Sequence, residues 1–265
     1  MEHQRIEYQA RIESNRRLNS QAFVLTLAAP EICVQAQPGQ FVHLSCNHFL
    51  RRPFGIMSVE RSAGLISLGI RIQGDGSRWL SECQAGSCLS VLGPLGHGFS
   101  LDGYRRVITV GGGSGVFPLH FVQQACREQA IESYAVCGYR SLDESVITED
   151  YSRLGCKTLF ASDLGDMDIP GNAAQALRQL LQTLPPVDGT VVLACGPKPM
   201  MQAVAELAGA HKLPCQVSLE ERMACGVGVC LVCVCRIKAE QEGRDVRHLR
   251  CCVEGPVFQA EEVVW

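Results

Sequence analysis

The run Cys225-Gly226-Val227-Gly228-Val229-Cys230-Leu231-Val232-Cys233 restricts the fold more than any other stretch of the chain. Its C-x4-C-x2-C spacing is the plant-type arrangement for a [2Fe–2S] cluster, which takes four thiolates around two irons. A loop wrapped round an anionic sulfide cluster has to turn its backbone N–H groups inward. Gly226 and Gly228 permit the φ > 0 conformations that do so. The competing readings are a structural zinc site and plain buried cysteines. Zinc sites mostly use C-x2-C pairs, and this run has one such pair, Cys230/Cys233. Spacing alone leaves the fourth thiolate open among Cys235, Cys251 and Cys252.

Cysteine is abundant throughout, with 15 in 265 residues, an odd number in a long chain. A secreted disulfide scaffold is usually short and even-numbered. The opening MEHQRIEYQARIESNRR is polar where a secretion signal needs an apolar core. No window approaches the roughly 18 consecutive apolar residues of a membrane helix. These features predict a reduced, cytoplasmic protein. Cys33, Cys46, Cys83, Cys88, Cys126, Cys137, Cys156 and Cys215 then read as small packing residues. With 24 Lys+Arg against 27 Asp+Glu and 6% aromatic residues, the chain offers neither a basic field nor stacking platforms. Nucleic acid and membrane surfaces are thereby excluded as partners.

The chain changes style twice. Up to about residue 102, AFVLTLAAP, GQFVHLSC, LISLGIRI and SCLSVLGP are short apolar or β-branched runs. Turns at Pro38-Gly39, Gly74-Asp75-Gly76 and Gly93-Pro94 separate them. With one helical stretch near Ser77–Glu82, this predicts a small antiparallel β-barrel over 1–102. From 103 to 217 strands alternate with helices: Arg105–Val110, then Pro118–Glu128, SYAVCGY, CKTLFAS, Asn172–Gln182, TVVLACG and Met200–Ala208. That alternation predicts a doubly wound parallel sheet. The cysteine segment, 218–265, is a third, small module.

Gly111-Gly112-Gly113-Ser114-Gly115 follows a strand directly and opens a helix, the place where nucleotide phosphates bind. It is not G-x-G-x-x-G, and a tight turn is the plain alternative. Cys195-Gly196-Pro197 ends another strand and would lie at the same sheet edge. Arg51 and Arg52, beside Pro53 and Phe54, read from composition alone as a solvated basic pair.

Taken in order, Arg52-Pro53-Phe54-Gly55, Gly74-Asp75-Gly76-Ser77, GGGSGVFPL (111–119), CGPKPMM (195–201), LEERMACGVGVCLVCVC (219–235) and CVEGPVF (252–258) resemble the ferredoxin–NADP reductase-like superfamily. Over essentially the whole chain they look most like the electron-transfer subunit of NAD-dependent, type-B dihydroorotate dehydrogenase. The resemblance implies FAD held by Arg52, Pro53, Phe54 and Gly55, with Arg52 making bidentate, permanently charged contacts to phosphate. It implies that Gly69, Ile70 and Arg71 line the flavin as a strand, and that Gly76 and Ser77 present backbone and hydroxyl donors to the pyrophosphate. Gly112, Gly113 and Gly115 would form the phosphate turn for NAD(H), with Cys195, Gly196 and Pro197 near the nicotinamide. The cluster ligands would be Cys225, Cys230, Cys233 and Cys252. Two departures stand out. Gly55 replaces the family's common Ser or Thr, whose hydroxyl is expected near flavin N5. Ser162-Asp163-Leu164-Gly165-Asp166 only partly keeps an Asp-Asp-Gly-Ser pattern.

The resemblance therefore implies an electron conduit in pyrimidine biosynthesis. Electrons would run between NAD(H), FAD, the [2Fe–2S] cluster and an FMN-containing dihydroorotate dehydrogenase catalytic subunit, in a two-plus-two heterotetramer. No catalytic acid, base or nucleophile is required of this chain. One rival is a reductase component of another multisubunit oxidoreductase, such as an oxygenase, sulfide dehydrogenase or glutamate synthase-like assembly. An oxygenase reductase typically carries a fuller ferredoxin domain, whereas only 18 residues separate Cys233 from Cys252. The other rival, a cysteine-rich redox or metal sensor, would have no use for flavin and nucleotide turns. Acids across Ala161–Asp168 would repel a 2′-phosphate and favour NADH over NADPH, with Arg140 as the counterweight. The apolar run Met223–Val232 around the thiols predicts a partner-facing surface.

Overall fold

The computed structural model describes residues 6–239 and 246–265. The start of the polar opening, residues 1–5, lies outside the described residues.

Six strands close into an antiparallel barrel: β1 (Ile6–Asn19), β2 (Ala22–Ala28), β3 (Phe41–Leu44), β4 (Arg52–Glu60), β5 (Leu65–Arg71) and β6 (Cys88–Leu95). Their order is β1-β2-β5-β4-β3-β6. Alternation fills the interior: Phe23, Leu25, Leu27, Ile66, Leu68 and Ile70 are all fully buried, each contributing roughly 1.5–3 kcal/mol of burial. Helix α1 (Pro30–Gln35) and helix α2 (Asp75–Glu82) cap the barrel's connections.

Two barrel strands carry no clear sequence signal. β1 reads as polar, yet its Ala10 and Ile12 are fully buried. It closes the barrel by pairing with β6 as far as Arg11 and with β2 from Arg11 onward. β4 opens on the second of the paired arginines and contains Pro53, features that argue against a central strand. The expected packing cysteines hold except at Cys88, which is exposed on the outward face of β6, while Cys46, Cys83 and Cys156 are half-buried.

The second unit is a sheet of β7 (Arg106–Gly112), β8 (Glu132–Tyr139), β9 (Lys157–Ser162), β10 (Ile169–Pro170), β11 (Thr190–Cys195) and β12 (Cys215–Ser218). These six run parallel in the order β10-β9-β8-β7-β11-β12. Every residue of β7 is buried, as a strand covered on both faces requires. Val107 packs towards α3 (Val116–Glu128), whereas Ile108 and Val110 face α5 (Ala173–Thr183) and α6 (Lys198–Ala210). The short α4 (Thr148–Leu154) packs beside α3. Asn172 starts α5 by accepting the Gln175 N–H at 3.0 Å, an N-cap that satisfies an orphan donor.

The cysteine module is not a free appendage. Its strand β15 (Val257–Gln259) adds antiparallel to β12, with Val217 opposite Phe258. A hairpin, β13 (Val234–Lys238) with β14 (Val246–Arg250), carries the thiols between these ends. Among the described residues no helix is long and apolar enough to cross a membrane.

Candidate functional site: a flavin-sized pocket beside a thiol loop

The parallel sheet reverses its order between β7 and β11, and a crevice forms at such a switch point. Register places Cys195 opposite Gly111, so the two turns read from sequence do meet at one sheet edge. Their glycines have different reasons. A Cβ on Gly115 would fall 2.1 Å from Cys195 O, and one on Gly112 would fall 2.5 Å from Met200 Sδ. Close packing of the two turns demands both. Gly113 instead has φ +55° and open space beyond it, with Arg71 Nη1 nearest at 4.0 Å.

A cavity of about 330 Å³ lies where barrel, sheet edge and cysteine module meet. The barrel contributes Pro53, Phe54, Gly55, Gly69 and Arg71, and the sheet edge contributes Ser114, Phe117, Pro118 and Cys195. The segment entering the thiol loop contributes Leu219, Glu220 and Met223. Ile70 does not reach the cavity: strand alternation turns its side chain into the barrel core. Gly55 is matched by Pro118, whose Cβ would stand 3.1 Å from a Cβ there, so a seryl side chain at this position would crowd the opposite wall. Burial and the Glu220 carboxylate push the Cys195 thiol well above its usual range, so it is a neutral group lining the cavity. Desolvation raises the Glu220 carboxyl as well.

Arg52 stands outside this cavity. Its Nη1 donates to Leu50 O at 2.8 Å, and its Nε lies 3.1 Å from where a Cβ on Gly76 would be. A guanidinium thus stands over the first turn of α2, whose N–H groups have no helical carbonyl to donate to and also favour an anion. The Ser77 hydroxyl is spent locally, donating to Gly74 O at 2.9 Å and accepting from Gln73 N at 2.9 Å. Backbone donors of the turn and Arg52 remain.

The thiol loop turns through three left-handed residues, Gly226 (φ +70°), Gly228 (φ +88°) and Leu231 (φ +58°). That geometry aims backbone N–H groups at sulfur: Val227 and Cys230 donate to Cys225 Sγ at 3.5 and 3.4 Å. Burial pushes the Cys225 thiol up, but these donors, Val229 N–H and the Cys230 thiol outweigh it and hold it at about 6. Arg250 staples the loop, donating to Gly228 O at 3.0 Å while Glu254 holds its guanidinium. The remaining thiols sort into pairs. Cys252, pushed up to about 12 by burial and by Cys233, lies beside Cys233 and near the Gly228 backbone and Cys225. Cys251 pairs instead with Cys235, whose thiol also reaches Leu249 O at 3.4 Å. The loop thus presents two pairs, Cys225/Cys230 and Cys233/Cys252. Among the described residues no three acidic, histidine or cysteine side chains converge on a single point.

Residues 9–99 match the oxidoreductase FAD-binding domain, and residues 220–264 match the iron–sulfur cluster binding domain of dihydroorotate dehydrogenase B. The dihydroorotate dehydrogenase B (NAD(+)) electron transfer subunit of Caldanaerobacter subterraneus subsp. tengcongensis is 32% identical over 263 residues, covering 98% of this chain and 100% of that one. The corresponding subunit of Bacillus caldolyticus is 34% identical over 260 residues, covering 96% of each. The chain belongs to the dihydroorotate dehydrogenase B electron-transfer subunit family. A solved NADH-dependent reduced ferredoxin–NADP oxidoreductase, described for flavin-based electron bifurcation, superposes with TM-score 0.85 at 26% identity, covering 97% of this chain and 90% of that one. The ferredoxin reductase in carbazole 1,9a-dioxygenase, at 21% identity and TM-score 0.67 over 79% of this chain and 67% of that one, shares the fold.

In this electron-transfer subunit, an oxidoreductase, the FAD-binding barrel and the cluster-binding module are therefore both present. Sequence reasoning missed four residues that the fold brings to the cavity or the loop: Phe117, Pro118, Glu220 and His43. Pro118 read as an ordinary helix start, and Phe117 as part of the stretch between the glycine turn and that helix. Glu220 had a signal, a carboxylate in an apolar-flanked run just before the thiols. His43 had none, since a lone histidine within a strand reads as core.

Proposed function

We propose that this chain carries electrons between NAD(H) and an FMN-containing dihydroorotate dehydrogenase catalytic subunit, through FAD and a [2Fe–2S] cluster, in the cytoplasm. The single observation that carries this is continuity. Met223 lines the flavin-sized cavity, Cys225 opens the thiol loop two residues later, and the loop's far side exposes Val229, Leu231 and Val232. FAD accepts a pair of electrons and can release them singly to a one-electron cluster. In the division proposed, 1–102 holds FAD, 103–217 holds NAD(H) and 218–265 holds the cluster.

The residues present fit both groups. Pro53, Phe54, Gly55, Gly69 and Arg71 would wall the isoalloxazine, and Arg52 with the Gly76 turn would hold the diphosphate. Gly113, left open between packed Gly112 and Gly115, would receive the nicotinamide nucleotide's phosphate, with Cys195, Gly196 and Pro197 bounding the nicotinamide end. Two thiol pairs match two irons, so Cys225, Cys230, Cys233 and Cys252 would be the ligands. The inward N–H groups of Val227 and Cys230 would stabilise thiolate charge. The chain supplies position, water exclusion and potential, and no group acts as acid, base or nucleophile.

Anaerobic purification followed by flavin, iron and sulfide analysis tests the cofactors. Reconstitution tests the role: alone, the chain should reduce artificial dyes with NADH and leave dihydroorotate untouched. It should gain dihydroorotate oxidation when mixed with the FMN-containing subunit from its own source, as a two-plus-two assembly. A chain that oxidises dihydroorotate unaided, or never associates with that subunit, would overturn the reading. The TM-score of 0.85 to the NADH-dependent reduced ferredoxin–NADP oxidoreductase supports a second reading, a subunit of that kind of complex. Failure of the reconstitution would promote it.

A further inference from the structure

His43 belongs to β3 of the barrel and is fully buried. Neither ring nitrogen makes a well-formed hydrogen bond, although the Cys225 backbone lies within reach of the ring. Buried polar side chains are rarely left so, and each exception asks for a missing partner. Its surroundings identify the direction in which that partner lies. A Cβ on Gly226 would fall 2.7 Å from His43 Nδ1 and 3.1 Å from Cγ and Cε1, so the imidazole presses on the thiol loop beside Cys225. On its own sheet His43 is paired with Pro53, whose side chain shares its face and lines the flavin-sized cavity. The ring therefore stands between the cavity wall and the loop. Arg51 and Arg52 stand nearby, and an imidazole carries at least one ring N–H to give.

We infer that His43 is a positioning residue of the cluster site: its ring N–H donates to the sulfur shell at Cys225 and so sets the potential of the bound cluster. With the Cys225 backbone beside the ring and Arg51 and Arg52 nearby, the sulfur of the loaded loop is a further acceptor within the same short stretch, and it gives the weakly engaged imidazole a partner. Hydrogen bonds to cluster sulfurs are among the levers that fix potential, because they stabilise the more negative, reduced form. Gly226 contributes by lacking a side chain, since any Cβ there would displace the ring. The inference rests on the cluster reading, and the experiment separates the two.

Iron, acid-labile sulfide, EPR and the cluster midpoint potential are measured on the full chain and on His43→Leu and His43→Asn. The leucine fills the space without a donor, and the asparagine returns an N–H near the Nδ1 position. With the cluster retained, His43→Leu should shift the reduced-to-oxidised ratio at fixed poise about tenfold towards oxidised, a fall of ~59 mV for one electron, and move the EPR g-values. His43→Asn should recover most of that shift. Loss of cluster in His43→Leu but retention in His43→Asn would equally require the N–H. An unchanged potential in iron-replete His43→Leu would overturn the role, as would loss of the cluster in both variants, which makes the ring a packing prop. Absence of iron from the unsubstituted chain would sink the cluster reading itself.

Discussion

The ring of Phe117 occupies the place that a side chain on Gly69 would take: a Cβ there would fall 2.0 Å from Phe117 Cδ1. One residue belongs to β5 of the barrel and the other to the first turn of α3, so a missing side chain fastens the two units together. Both line the flavin-sized cavity. Gly69→Ala forces Phe117 out, an overpacking that costs roughly 1–3 kcal/mol. It should lower Tm and raise the Kd for FAD at least tenfold, read from flavin absorbance after desalting. Phe117→Ala alone should cost about 3–5 kcal/mol, since the ring is nearly buried. In the Phe117→Ala background Gly69→Ala should cost much less, because neighbours that share a contact are non-additive. Simple additivity would refute the contact's importance.

The adjacent cysteines Cys251 and Cys252 differ in their main thiol neighbour, Cys235 for the first and Cys233 for the second, with Cys233 also acting on Cys251. Cys252→Ser should therefore lose the cluster, and Cys251→Ser should keep it, with iron and sulfide content as the measure. NADH-to-dye turnover through FAD should survive both substitutions. The reverse pattern of cluster loss would place the fourth ligand one residue earlier.

We propose that the end of β9 sets nucleotide choice. Asp166 is engaged, accepting from the Ser162 hydroxyl at 2.6 Å and from Leu142 N at 3.0 Å. Asp163 is exposed beside it and has no side-chain partner among the described contacts. A carboxylate there repels a 2′-phosphate. NADH should exceed NADPH in kcat/KM by about tenfold or more, and Asp163→Arg should narrow the ratio, each tenfold being ~1.4 kcal/mol. Equal efficiency with both nucleotides in the unsubstituted chain would refute this.

The cluster spacing, the glycine turn and the strand–helix alternation were legible because each is local. Cys225 to Cys233 fit one loop, and Gly111–Gly115 one turn. What was not legible depends on distant partners. β1 is a strand because β2 and β6 flank it, although its charged residues hide the alternation of Ala10 and Ile12. Pro53 is tolerated in β4 because it is the strand's second residue and lies before the pairing with β5 begins at Ile56. The return of Val257–Gln259 to β12 joins the cysteine module to the sheet, and no periodicity announces it. Phe117 and His43 take their meaning from Gly69 and Gly226, glycines whose role is to leave room across an interface.

The face by which the thiol loop meets its partner can be tested through its exposed side chains. Cys230 lies exposed among Val229, Leu231 and Val232, which are 79%, 62% and 50% exposed. The sequence holds no charge between Arg222 and Arg236. An apolar patch of this kind on a soluble surface marks an interface, and electrons can leave the cluster only where its ligands approach the acceptor. A carboxylate at the centre of such a patch must be desolvated when the complex forms. Val229→Asp or Leu231→Asp should therefore weaken binding of the FMN-containing subunit by at least about thirtyfold, roughly 2 kcal/mol, the range of a hot-spot residue. NADH-to-dye turnover and iron content should be unchanged, since neither side chain enters the flavin-sized cavity. Val34→Asp provides the control: Val34 on α1 is 69% exposed and belongs to the barrel, away from the thiol loop in sequence and module. Binding measured by sedimentation should separate the loop variants from Val34→Asp, and indistinguishable affinities would remove the loop from the interface.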